Sequence, residues 1–233
     1  MKGLHTLRSV ARFGFHAVKN ATPLAATVRA QRAPRFAPAL AGFFTQKVNM
    51  SSTSWADPKK LSDIVKLPLL RKLPPSEAAN VWSEYHKEKE DAFGDVFLKA
   101  PYHKMIERGT ITPTFVIPVP LPNNGFMTMV TQWHGNRLLV TFLEEYRRDP
   151  LHARPWCIVT FYDDLLVEKN MALARGECKD AQLSKKNAEW LWGKVKLFYL
   201  RDDWYESVKT FNKEPAEFNF NKHINYVLSM AKE

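Results

Sequence analysis

Between residues 114 and 177 the strand-like runs of this chain stand next to one another, with almost no helix-length sequence between them. That grouping constrains the fold more than any other feature. Parallel strands need crossovers of a dozen or more residues, whereas antiparallel neighbours need only turns. Residues 114–119 are β-branched and aromatic. Runs 126–133 and 137–143 flank His134, Gly135 and Asn136, which predicts a hairpin. Two further strands are predicted over 155–162 and 171–177, parted by a loop at 163–170. Pro118, Pro120 and Pro122 cannot donate to a ladder, so the first of these strands belongs at an edge or ends early.

Helical signals lie on either side of this block. Asp57 and Pro58 read as a cap and a first helical residue, followed by Leu61, Ile64 and Val65 until Pro68 stops the helix. Ser76 is read as the cap of a second helix, with Ala78, Val81, Trp82 and Tyr85 on its apolar face. Residues 92–108 show only short helical turns, around 96–98 and Met105. A short polar helix is expected at 144–149, closed by Pro150. Ser184 caps a strong helix whose face carries Ala188, Leu191, Trp192, Val195, Phe198 and Tyr199. Asp202 and Asp203 start another, with Trp204, Tyr205, Val208 and Phe211 inward and Pro215 as its breaker. A last short helix covers 223–230. Helices, then grouped strands, then helices predict an α+β fold: a mostly antiparallel sheet of five or six strands packed with N- and C-terminal helices.

The charge is distributed unevenly. The chain holds 34 basic and 24 acidic residues, a net +10, yet its first acidic residue is Asp57. The residues before it carry eight positive charges, and without them 26 basic face 24 acidic residues, a charge near +2. A basic, acid-free leader with interspersed Leu, Val, Phe and Ala reads as a mitochondrial transit peptide. Its apolar stretches are far shorter than the roughly 20 residues of a spanning helix. The expected division is a disordered transit peptide at 1–52 and a single α+β domain at 53–233.

Motifs for chemistry are missing. No GxxxxGK or GxGxxG loop, GxSxG elbow, CxxC or HExxH occurs. Cys157 and Cys178 sit in strand-like runs and read as small buried hydrophobes. The histidines beyond the leader read as surface or turn positions. Adjacent acids such as Glu144 and Glu145, or Asp202 and Asp203, do not face each other on a helix and make poor acid/base dyads. Lys185 and Lys186, at a helix start where positive charge is unfavourable, read as solvated surface. No catalytic, cofactor or metal site is expected. A matrix nucleic-acid-binding protein is the alternative reading, but a body near neutrality lacks the basic stripe that phosphate contacts need.

The most specific pattern lies near the C-terminus: Lys196, Leu197, Phe198 and Tyr199, then Ser207 through Asn212 as SVKTFN, then Pro215 and Phe218. FVIPVP at 115–120, VTQW at 130–133, MALARGE at 171–177 and the helical region at 61–85 accompany it in order. Together these segments, from Leu61 to Lys222, resemble the mitochondrial chaperone family that assembles the catalytic head of ATP synthase. The resemblance implies a matrix protein without catalytic residues. It implies binding of the free ATP synthase beta subunit until alpha subunits replace it. No nucleic acid, no membrane insertion and a monomeric free state are expected. Pro118, Pro120, Phe211, Asn212, Pro215 and Phe218 become the candidate partner-binding residues. Lys209 stands where the family pattern leads one to expect an acid, a departure from that pattern.

Overall fold

The computed structural model describes residues 58–122 and 125–230. The leader, including the transit-peptide reading and the Asp57 cap, lies outside them. Six strands form one sheet: β1 (Ala92–Leu98), β2 (Thr114–Pro120), β3 (Phe126–His134), β4 (Arg137–Phe142), β5 (Pro155–Tyr162) and β6 (Met171–Cys178). Every neighbouring pair is antiparallel, in the order β1-β6-β5-β4-β3-β2. Strands β2 to β6 therefore run as a meander, and β1 closes the far side against β6. This is the α+β architecture that grouped strands predict.

Helices cover both faces. On one face α3 (Lys99–Ile111), α6 (Lys185–Leu200), α7 (Asp202–Lys213) and α8 (Phe220–Ser229) pack on the larger apolar core, with Phe115, Phe161, Trp192, Phe198 and Tyr199 at its centre. On the other, α1 (Leu67–Lys72) and α2 (Pro75–Lys87) enclose a smaller core with Trp82, Tyr162, Met171 and Leu173. The short helices α4 (Leu143–Arg148) and α5 (Leu166–Lys169) fill the connections around β5.

Strand β1 and helix α3 depart from the sequence reading, which placed only helical turns there. Gly94 lies under α2, where a Cβ would come within 2.6 Å of the His86 ring. Asp95 is held from the opposite face by Trp192 Nε1 at 2.8 Å and Lys196 Nζ at 2.6 Å. Both residues break the apolar alternation because each serves a helix packed on the strand. Two helix starts also differ. Pro68 lies in the first turn of α1, where its missing N–H costs nothing, so it opens a helix rather than ending one. Pro74, not Ser76, stands at the cap of α2, and the buried stripe is Ala78, Trp82 and His86, with Val81 exposed.

Lys185 is not a solvated lysine. Its ammonium donates to the carbonyls of His86 at 2.8 Å, Lys87 at 3.2 Å and Lys89 at 2.7 Å, the end of α2. Helix ends leave carbonyls without partners, and a cation there satisfies both hydrogen bonding and the dipole. Lys169 does the same for α1, donating to Arg71 O and Leu73 O. Lys185→Met keeps the stem and removes the donors, so we expect a loss of about 1–2 kcal/mol, read as a lower urea midpoint at unchanged slope. At the β3–β4 hairpin Gly135 has φ +58°, in the left-handed region. Gly135→Ala is expected to cost about 1 kcal/mol, measured in the same titration.

Candidate partner-binding site

Strand β2 is one edge of the sheet, and its outward backbone groups are those of Thr114, Val116, Pro118 and Pro120. An open edge of this kind invites pairing with another chain. Here the C-terminal helices close it. Asn212, at the end of α7, receives the Thr114 N–H on Oδ1 at 3.2 Å and returns Nδ2 to Thr114 O at 2.6 Å. The same amide donates to Val208 O at 2.8 Å, which fixes it to its own helix. Asn212 thus replaces a missing strand for one residue. His223, on α8, donates Nε2–H to Val116 O at 2.8 Å. Proline has no N–H to leave unpaired, and at 118 and 120 its ring nitrogen faces the free side.

An aromatic cluster supports this closure. Phe211 is buried and lies 5.6 Å from Phe115 and 5.0 Å from Phe218, centroid to centroid. The His223 ring sits 5.0 Å from Phe115, 5.4 Å from Phe198 and 5.2 Å from Phe218. Burial among these rings holds the His223 imidazole at about 4, far below its ordinary value, so the ring is neutral at pH 7. Asn219 caps α8 by accepting from Lys222 N. Pro215 lies in the turn between the two helices.

The candidate residues therefore fall into two groups. Pro118, Phe211 and Asn212 face inward or hold internal bonds, whereas Pro120, Pro215 and Phe218 are half-buried and reach the surface. Lys209 pairs with Glu206 one turn back at 2.6 Å, and its ammonium lies 5.8 Å from the Tyr205 ring. His223 was missed in the sequence, as was the burial of His86. The signal for His223 was its place on the stripe with Ile224 and Val227, which makes it an inward residue.

An open cleft of about 340 Å³ lies beside α4 and β5, lined by Glu145, Arg148, Asp149, His152 and Trp156 among others. Its acids are engaged. His152 Nδ1 stands 2.8 Å from Asp149 Oδ2 and lowers that carboxyl below its usual range, and Trp156 Nε1 donates to Glu145 at 3.1 Å. Among the described residues no group of three or more His, Cys, Asp or Glu is placed to hold a metal ion. Among them, too, no helix is long and apolar enough to cross a membrane.

Residues 17–224 match the profile of a family described as "ATP11 protein", so the match begins within the basic leader and ends on α8. The chain is 28% identical over 176 residues to "ATP synthase mitochondrial F1 complex assembly factor 1" of Danio rerio, covering 75% of this chain and 57% of that protein. To the Homo sapiens protein of the same name it is 28% identical over 177 residues, covering 75% of this chain and 52% of the other. To "Protein atp11, mitochondrial" of Schizosaccharomyces pombe it is 28% identical over 149 residues, covering 62% and 52%. The chain spans about half the length of the curated relatives it matches.

Proposed function

This chain belongs to the ATP11 protein family, and on that premise we propose that it is a mitochondrial assembly chaperone for the catalytic head of ATP synthase. It binds the free beta subunit in the matrix, keeps it from aggregating and hands it to alpha subunits. The observation that carries this reading is the family match across residues 17–224, together with relatives named as F1 complex assembly factors. The acid-free leader supports the location.

The physical logic is simple. A beta subunit without its alpha neighbours exposes apolar surface, and large exposed patches drive aggregation. A chaperone that covers such a patch must then lose it, so its interface is smaller or less complementary than the permanent one. Displacement by tighter-binding alpha subunits needs only mass action, without ATP and without catalysis by the chaperone.

In this reading Pro120, Pro215 and Phe218 touch the partner, and Pro118, Phe211 and Asn212 position them. Because Asn212 and His223 already occupy the β2 edge, the partner meets side chains of the α7–α8 turn rather than adding a strand. Light scattering of purified beta subunit at a temperature where it aggregates tests the activity. A stoichiometric amount of the chain is expected to suppress the signal; undiminished scattering at a several-fold excess contradicts the proposal.

A further inference from the structure

Cys157 and Cys178 lie directly opposite each other on β5 and β6. Opposed residues on antiparallel strands point to the same face. The pair is of the non-hydrogen-bonded kind: Cys178 N donates away from β5, to Asp91 O at 2.7 Å, and the ladder bond next to it runs from Lys179 N to Trp156 O at 2.7 Å. Such pairs bring their Cα atoms to about 4.5 Å, within the ~4.4–6.8 Å range that a disulfide spans. Both thiols are free, Cys157 buried and Cys178 partly exposed.

We propose that Cys157 and Cys178 form an oxidisable dithiol, which a peroxide converts to an intramolecular disulfide between β5 and β6. The two cysteines play different parts. The Cys157 thiol donates toward Cys178, which lowers the Cys178 thiol below its ordinary value and leaves Cys157 well above. Cys178 is also the one an oxidant reaches. Its thiolate attacks one peroxide oxygen, the O–O bond breaks, and the departing hydroxide takes a proton to leave as water. The Cys157 sulfur then attacks the resulting sulfenic acid. The S–S bond forms, the S–O bond breaks, and the departing hydroxide takes the Cys157 proton as a second water. The peroxide gains two electrons and the two thiols lose them. The bond closes a loop of about 20 residues and ties the end of the β5–β6 hairpin.

The test is intact-mass analysis of the full chain after a small excess of hydrogen peroxide, followed by alkylation under denaturing conditions. The expected product is lighter by two hydrogens, takes up no alkyl group and yields a peptide joining Cys157 to Cys178. A thiol reductant reverses it, and its melting temperature is higher by about 5 °C. Cys178→Ser forms no such product and takes up one alkyl group. Two alkyl groups on oxidised wild-type protein, oxygen adducts on Cys178 with Cys157 still reactive, or disulfides between molecules would each overturn the proposal.

Discussion

Between pH 7 and pH 4 we expect the protein to lose about 3 kcal/mol of stability through one side chain, His223. The folded ring titrates at about 4 against an ordinary value of 6.5. Its folded value is lowered, so as pH falls the unfolded chain takes up the proton first. The contribution is complete above pH 6.5, declines between 6.5 and 4, and does not change further below. The cause is geometric. Nε2 already donates to Val116 O, and the second proton would sit among Phe115, Phe198 and Phe218. His86, which is buried, is also lowered and adds a loss of the same sign. Asp202, held at about 2 by hydrogen bonds from Lys104 and Arg108, contributes only below this window. Urea unfolding at a series of pH values measures the slope. His223→Gln supplies a comparable donor without a titrating group, so we expect it to flatten most of the dependence; an unchanged slope contradicts this account of the ring.

The second large effect is at Asn212. Asn212→Ala removes three hydrogen bonds and leaves the Thr114 N–H and C=O without their partner at the sheet edge. The expected cost is about 3 kcal/mol, or a melting temperature lower by roughly 5–10 °C for a domain of this size. Asn212→Asp separates the bonds from the volume. The carboxylate still accepts from Thr114 N–H but confronts Thr114 O and Val208 O with a third acceptor. Its loss is expected to match or exceed that of the alanine variant. Freeing the edge also favours self-association, seen as concentration-dependent scattering. An Asn212→Ala protein as stable as wild type would remove the edge-closing role assigned to the signature.

Local sequence showed what local physics decides. The β3–β4 hairpin follows from Gly135 between two β-branched and aromatic runs. Helix α6 follows from its Ser184 cap, which accepts from Asn187 N, and from its stripe of Ala188, Leu191, Trp192, Val195, Phe198 and Tyr199. Elements set by distant partners were not legible. Strand β1 is a strand because β6, some 80 residues later, pairs with it, while Gly94 and Asp95 answer to α2 and α6. Helix α3 holds two poor helix formers, Pro101 and Gly109, although Pro101 falls harmlessly in the first turn. Lys185 reads as a badly placed charge until α2 brings three carbonyls to it.

The candidate site divides in the same way. The signature SVKTFN with Pro215 and Phe218 was visible as a pattern, and the inward place of Phe211 followed from its spacing. That Asn212 spends its amide on Thr114, 98 residues earlier, was not. A polar residue after an apolar stripe looks the same in sequence whether it caps a helix, meets a partner or closes a sheet edge. Only the position of β2 distinguishes these roles.

Titration of the full chain against purified ATP synthase beta subunit, with alpha subunit as competitor, tests the central claim most directly. The account predicts saturable binding that alpha subunit displaces, weakened by substitution of Phe218 at the α7–α8 turn. Absence of binding to a well-behaved beta subunit, or binding that alpha subunit leaves untouched, would contradict it.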